Sequence, residues 1–499
     1  MSFHELSHVL GASLFAGEGK QNVLSGTEGF TSVSVDSREV LPGALFVALK
    51  GAANDGHYFV DSAFKAGACG AMVALSAMEN SGLGLFGLAK KYNRVLVAVD
   101  DTLKGLQNAA AAYLRQFSGL TRIGITGSVG KTTTKEIAAA IASQEKRVVM
   151  NEGNLNSETG LPLSVFNVRA HHELGIFEAA MNHPGEIADL AKILNPHIAL
   201  ITNIGSAHIG FIGSRQAIAE EKKQIFSEFD GTNTAMIPAE DDFRDFLAKN
   251  VRGRTVFYGA STLPAYGGAR DLGLNGIEII WDGEPVRLCL PGIFNLPNAL
   301  AAAALAMELR LGSLSVCRGF ESVKPIFGRG EIFNGRSTLI RDCYNSNPEG
   351  AEAVLDFCDS LEWPGRKIYV MGAMLEMGEV SDNVHAALGK RLSSSRADIV
   401  FLFGEEMRAA AEVLDRESKT QSHKEECAGT QGVYPAVCSP KKPSFFFTID
   451  MGELSKALDN CIKKGDLVLL KGSRGYAMEE LTGVLTGYPD KELGAGHVS

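Results

Sequence analysis

Residues 122–136 read Arg-Ile-Gly-Ile-Thr-Gly-Ser-Val-Gly-Lys-Thr-Thr-Thr-Lys-Glu, and this run narrows the fold more than any other. An apolar, strand-like entry leads into a glycine turn, and the pattern predicts a helix beginning near Lys131. Glycine lets backbone N–H groups approach an anion closely, and a helix N-terminus adds positive dipole at the same place. Lys131 contributes a mobile cation, and the Thr132 hydroxyl can serve Mg²⁺. The run therefore reads as a phosphate-binding loop for ATP formed by Thr126, Gly127, Ser128, Val129, Gly130, Lys131, Thr132 and Thr133. The common GxxxxGK[ST] spacing needs glycine at position 125, which is Ile125, so the loop is a shortened variant flanked by Gly127 and Gly130.

Other apolar runs place this loop in an α/β chain. Between 100 and 313, Ile123-Gly124-Ile125, Val148-Val149-Met150, Ile176-Phe177 and Ile198-Ala199-Leu200-Ile201 alternate with helical segments, as in a parallel sheet flanked by helices. A second alternating set follows at Thr338-Leu339-Ile340, Ile368 to Met371, Ile399 to Phe403 and Leu467 to Leu470, which predicts a Rossmann-like domain over 314–499. Residues 1–99 mix short strands at 44–49 and 95–99 with a helix near 59–68, a small α/β unit. Three domains also suit 499 residues, since one core rarely organises more than about 250–300. Residues 416–443 are polar without a usable apolar period and read as a surface insertion.

A net charge of -10 argues against a nucleic-acid binder relying on a broad basic face. The first thirty residues lack the pattern of a secretory signal, and no apolar run reaches the ~20 residues of a spanning helix, so a cytoplasmic protein without membrane insertion is expected. The eight cysteines are scattered without CxxC or neighbouring histidine, and read as reduced thiols. Glu178 ends a strand-like run, where a carboxylate can hold Mg²⁺ near the loop's phosphates. Asn298, with Asn295, precedes an alanine-rich helix predicted over 299–306, where side-chain amides can read an adenine edge or cap the helix.

The loop and several downstream segments together resemble the Mur ligases, which build the peptidoglycan precursor. The segments are Asn151-Glu-Gly-Asn154-Leu-Asn156, Glu178-Ala-Ala-Met-Asn182-His183, Thr202-Asn203-Ile-Gly205-Ser-Ala-His208, Asn295-Leu-Pro-Asn298, Gly328-Arg329, Asp342-Cys-Tyr344-Asn345-Ser-Asn347-Pro348 and Lys471-Gly472-Ser473-Arg474. The resemblance runs from Asp36-Ser37-Arg38 to Glu479. It implies a UDP-substrate domain, a central ATPase domain and a C-terminal ligase domain. The Gly-Asn-Leu-Asn run at 153–156 and Tyr344 to Pro348 are similar to the member that joins D-alanyl-D-alanine to UDP-N-acetylmuramoyl-tripeptide through an acyl phosphate. Addition of a single amino acid is the alternative within the class, and a P-loop switch protein the alternative outside it.

The resemblance also implies roles for residues. Lys131, Lys222, His208 and Arg329 are expected to be catalytic. Two Mg²⁺ ions are expected on Thr132, Glu178, His208 and Lys222, the lysine having become a carbamate by reaction with CO₂. Arg329 would clamp the γ-phosphate, while Asp342 and Asn345 would meet ribose or phosphate. Ser37 and Arg38 suit a UDP pyrophosphate, Asn154, Asn156 and Thr159 the sugar-peptide, and Lys471, Ser473 and Arg474 the dipeptide or substrate carboxylates. A monomer is expected. Phe294, Ala373 and Gln224 depart from the family pattern, where histidine, aspartate and glutamate are usual. The sequence leaves open whether the tripeptide ends in lysine or a diamino acid.

Overall fold

The apolar runs pair as four sheets in a computed structural model that describes residues 1–16, 28–51, 54–80, 82–428 and 442–488. The first sheet comprises β1 (Ser13–Ala16), β2 (Val33–Ser34), β3 (Leu45–Val47), β4 (Gly70–Ala74) and β5 (Val95–Val99), in the order β1-β5-β4-β3-β2. Only the β1–β5 pairing is antiparallel. Helix Thr102–Arg115 follows, and its buried face shares one core with the first sheet and the middle of the chain. Asp101 caps it, accepting hydrogen bonds from the N–H groups of Leu103 and Lys104.

The central sheet is wholly parallel: β6 (Thr121–Thr126), β7 (Val148–Met150), β8 (Leu174–Glu178), β9 (Ile198–Ile201), β10 (Thr234–Pro238) and β11 (Arg254–Tyr258), in the order β11-β10-β9-β6-β8-β7. Every residue of β8, β9 and β10 is buried, as expected when helices cover both faces. The chain order reverses around β6, so the carboxyl ends of β6, β8 and β9 open onto one crevice, where doubly wound sheets bind ligands. A three-stranded antiparallel sheet, β12 (Tyr266–Asp271), β13 (Ile277–Trp281) and β14 (Glu284–Leu288), had no counterpart in the sequence reading. Its β13 alternates buried Ile277, Ile279 and Trp281 with half-buried Glu278 and Ile280.

The third domain adds β15 (Glu331–Asn334), β16 (Thr338–Asp342), β17 (Lys367–Gly372), β18 (Ile399–Phe403), β19 (Ser444–Thr448) and β20 (Leu467–Lys471), in the order β15-β16-β20-β17-β18-β19. Only β15–β16 is antiparallel. The buried Glu331 carboxylate accepts hydrogen bonds from Arg341 at 2.8 and 3.1 Å across these two strands. Removing one member of a buried pair strands the other's charge, so Glu331→Gln is expected to cost about 3–5 kcal/mol, read from its denaturant midpoint.

Two expectations are corrected. Of the surface insertion expected over 416–443, residues 416–428 carry regular structure that no apolar period announced: helix Arg408–Ala428 runs through them, and residues 429–441 lie outside the described residues. The segment carries Arg416, Glu417, Lys419, Lys424, Glu425 and Glu426, whose intrinsic helix propensity needs no apolar stripe. The alanine-rich helix is Leu296–Glu308, so Asn298 lies inside its first turn and neither asparagine caps it by its side chain. Asn295 donates instead to the Pro291 carbonyl at 2.8 Å. Among the described residues, no helix is long and apolar enough to cross a membrane.

Candidate active site

Strand β6 ends at buried Thr126, and the chain turns through residues 127–130 into helix Lys131–Ala142. Gly130 has φ +82°, and a Cβ there would fall 2.0 Å from Asn298 Oδ1, so this corner admits only glycine. The end of β9 braces the loop from the side. Val129 N–H donates to Asn203 Oδ1 at 3.0 Å, the Val129 carbonyl accepts from Thr202 Oγ1 at 2.6 Å, and Ser128 Oγ accepts from Gly205 N–H at 2.8 Å. The Lys131 ammonium donates to the carbonyls of Gly127 and Ser128 at 2.9 and 3.3 Å, and burial with Arg329 nearby lowers its pKa. Thr133 faces a small pocket shared with Glu136, Leu290, Asn295, Val323, Lys324, Ile326 and Arg329, while Asn298 accepts from Thr134 Oγ1 at 3.4 Å. The pocket wall at 323–326 gave no sequence signal.

Glu178 is buried at the carboxyl end of β8. Its carboxylate accepts from Thr132 Oγ1 at 2.7 Å through one oxygen and from Asn156 Nδ2 at 2.7 Å through the other. Lys222, on helix Arg215–Lys223, is also fully buried, and its electrostatic neighbours are Lys131, Glu221 and Glu178. Burial, then the like charge of Lys131, pushes its ammonium well below the usual lysine range. Adjacent Lys223 points elsewhere, donating to the Phe246 carbonyl at 2.7 Å. Among the described residues no three His, Cys, Asp or Glu side chains converge as a metal cluster. The donors present, a threonine hydroxyl and one carboxylate, are hard oxygen ligands, and so small a set suits Mg²⁺, which retains water and phosphate oxygens.

His208 meets the third domain. With φ +63° after β9, it places Nδ1 2.6 Å from Glu376 Oε2 of the third domain, a close ion-pair distance although the angles are not those of a hydrogen bond. The contact lowers the Glu376 carboxyl's pKa. Gly210 N–H donates to the Glu376 carbonyl at 3.1 Å, and a Cβ on Gly210 would lie 2.4 Å from Gly378 N, so the two backbones touch. Nearby, Glu349 accepts from Ser206 N–H at 2.7 Å and Oγ at 3.0 Å. Glu349 was missed in sequence because its contact lies across a domain boundary.

From the hinge side, Arg329 stacks on Tyr344 with its guanidinium 4.3 Å from the ring centroid, and it senses Lys131 electrostatically. Gly328 N–H donates to Glu331 at 2.6 Å, tying this turn to the buried Glu331–Arg341 pair. Asp342 and Lys471 are cross-strand partners, with Lys471 Nζ 2.7 Å from Asp342 Oδ2 and 3.1 Å from the Asn345 carbonyl. Lys471 and Ser473 are buried, Ser473 Oγ accepting from Leu375 N–H at 2.9 Å, whereas Arg474 is half-exposed over Phe327 and pairs with Glu479. Phe294 meets Phe357 of the third domain edge to face, and Ala373 is fully buried. In the first domain Ser37 is half-buried in a turn and Arg38 is exposed, paired with Asp36, whose carboxyl this guanidinium lowers to about 2. Asn154 is exposed on its loop, and Thr159 precedes helix Gly160–Val165. The structure thus gathers Lys131, Thr132, Asn156, Glu178, Lys222 and Arg329, and leaves Ser37 and Arg38 in a separate domain.

A phosphate loop on a parallel sheet, a buried carboxylate and lysine beside it, and an arginine on the hinge to a Rossmann-like domain define a three-domain nucleotide-dependent enzyme. Family models match in the same order: the Mur ligase family catalytic domain over residues 29–113, the Mur ligase middle domain over 125–306 and the Mur ligase glutamate ligase domain over 328–474. The chain belongs to the Mur ligase family. It is 40% identical over 460 residues to the UDP-N-acetylmuramoyl-tripeptide--D-alanyl-D-alanine ligase of Treponema pallidum, covering 92% of this chain and 95% of that one. The Bacillus subtilis ligase of the same name is 32% identical, covering 90% and 92%. Among solved structures, MurF from Acinetobacter baumannii superposes with TM-score 0.81 at 26% identity, covering 97% of this chain and 98% of that one. MurF from Thermotoga maritima in complex with ADP gives 0.71 at 28% identity, covering 92% and 98%.

Proposed function

We propose that the crevice at the ends of β6, β8 and β9 activates a carboxylate with ATP, and that Lys131, Lys222, His208 and Arg329 are its catalytic residues. The chain is an ATP-dependent ligase that joins D-alanyl-D-alanine to UDP-N-acetylmuramoyl-tripeptide in peptidoglycan precursor synthesis. One observation carries the site reading: Lys131, Thr132, Glu178 and Lys222 meet where the sheet's strand order reverses. The proposed division of labour is 1–99 for the UDP-substrate, 100–313 for ATP and 314–499 for the dipeptide. The enzyme is proposed to act as a cytoplasmic monomer.

In the first step a terminal carboxylate oxygen of the tripeptide bonds to the γ-phosphorus, and the bond to the β-bridging oxygen breaks, releasing ADP with its electron pair. In the second, the dipeptide amine attacks the acyl carbon, loses its proton and expels phosphate. Two anions must approach for the first step. Lys131 and Arg329 offset that charge from opposite sides, one on the loop and one on the hinge. Thr132 and Glu178 would hold one Mg²⁺, and His208 and Lys222 as carbamate a second; when bound, the ions neutralise phosphate charge. Lys222 fits carbamate formation because burial favours its neutral amine, the form that attacks CO₂. Thr126–Thr133, Asn295, Asn298, Asp342 and Asn345 are proposed to bind the nucleotide, and Ser37, Arg38, Asn154, Asn156, Thr159, Lys471, Ser473 and Arg474 the acceptor and donor peptides.

The test is phosphate release from ATP with UDP-N-acetylmuramoyl-tripeptide and either D-alanyl-D-alanine or single amino acids, with mass detection of product. Release and a pentapeptide product with the dipeptide alone are expected. A product formed from a single amino acid would reassign the donor, and hydrolysis without amide formation would point to a switch.

A further inference from the structure

Strands β7 and β8 pair only as far as Met150 opposite Ile176, yet the ladder continues one step further through a side chain. Asn151, fully buried, accepts from Glu178 N–H through Oδ1 at 2.9 Å and donates through Nδ2 to the Glu178 carbonyl at 3.0 Å. Its carboxamide thereby takes the place of a strand partner's peptide group, which only a side chain carrying both donor and acceptor can do. The main chain at 151 is freed to turn into the Gly153 loop. The second Nδ2 proton reaches the Leu155 carbonyl at 3.0 Å, pinning that loop beside Asn156, whose Nδ2 in turn holds the Glu178 carboxylate. One asparagine therefore fixes both the backbone of Glu178 and the loop that orients its carboxylate.

Asn151 is itself held. The Lys135 ammonium, with no solvent exposure, donates to the Asn151 carbonyl at 2.5 Å and pairs with Glu136 Oε1 at 3.1 Å. Lys135 lies one turn beyond Lys131 on the helix that starts at the phosphate loop. A buried ammonium is costly unless it is paired and hydrogen-bonded, and here it joins the phosphate-loop helix to the end of β7, whose Asn151 holds the Glu178 backbone.

We propose that Asn151 and Lys135 are positioning residues for the metal-binding carboxylate, setting Glu178 against Thr132 so that a hard cation finds both oxygens at once. This rests on the reading of Glu178 as a Mg²⁺ ligand. The role is geometric, so its loss should appear in metal dependence ahead of nucleotide affinity.

The test compares the full-length wild type, Asn151→Ala, Lys135→Met and Glu178→Gln by calorimetric titration of ADP with and without Mg²⁺, alongside the Mg²⁺ dependence of phosphate release. Asn151→Ala and Lys135→Met are expected to raise the Mg²⁺ concentration for half-maximal rate about tenfold and weaken Mg²⁺-dependent ADP binding by a similar factor. Their metal-free ADP affinity should match wild type. Equal losses with and without Mg²⁺, or an unchanged Mg²⁺ requirement in the folded variants, would overturn the positioning role. If Asn151→Ala does not fold, Lys135→Met, which leaves the asparagine in place, decides the matter alone, and its unfolding would assign Lys135 to the core instead. An unchanged Mg²⁺ requirement in Glu178→Gln would instead remove the metal reading of Glu178 itself.

Discussion

Lys222→Met is expected to lower amide formation about a thousandfold while leaving the fold intact, because methionine fills the buried volume but forms no carbamate. Wild-type activity should fall in CO₂-free buffer and recover with bicarbonate, whereas the variant should respond to neither. The stability of the two proteins should differ in a particular direction. Burial lowers the folded-state pKa of Lys222 beneath the unfolded value of about 10.4, so between those values the unfolded chain binds more protons. Stability attributable to this group therefore rises with pH across that window and is diminished below it. Methionine removes the penalty, so in CO₂-free buffer the variant should melt no lower than wild type at neutral pH, with its advantage shrinking as pH approaches about 10.4. A variant retaining more than about a tenth of wild-type turnover would eliminate the carbamate from the mechanism.

Arg329→Ala is expected to reduce turnover by about two to three orders of magnitude. The guanidinium lines the pocket beside Thr133 and Asn295, acts on Lys131 and rests on the Tyr344 face. Lysine should restore little, since it lacks the planar fork that both stacks and binds phosphate oxygens bidentately. Single-turnover phosphoryl transfer is the discriminating measurement. A defect in ATP affinity alone, with turnover at saturation preserved, would restrict Arg329 to ground-state binding.

The phosphate loop could be read from sequence because its chemistry is contiguous: backbone, lysine and threonine lie within eight residues. Glu178 was visible as a carboxylate ending an apolar run, but Asn151 was not, since its role exists only once β7 and β8 are in register. Lys222 carried a family resemblance and no local sign of burial; its helix is polar along most of its length, with only Ile218, Ala219, Glu221 and Lys222 turned inward. Asn298 was placed one turn too early because the alanine run hid Leu296 and Pro297 as the first helical turn. The helix through 416–428 was lost for the opposite reason, a good helix-forming composition without an apolar stripe. Phe294 and Ala373, which depart from the family pattern, occupy an aromatic contact between domains and a closed core, so each position favours an apolar side chain here.

Residues 202–210 touch the phosphate loop at one end, through Thr202, Asn203 and Gly205, and the third domain at the other, through Ser206, His208 and Gly210. For inhibitor design this short stretch is a target apart from the ATP pocket. A compound wedged between Gly210 and Gly378 would part the backbone contact between the central and third domains. Escape by substitution is narrow there, because any side chain added at Gly210 collides with the backbone of residues 376–378 and harms the enzyme it was meant to protect.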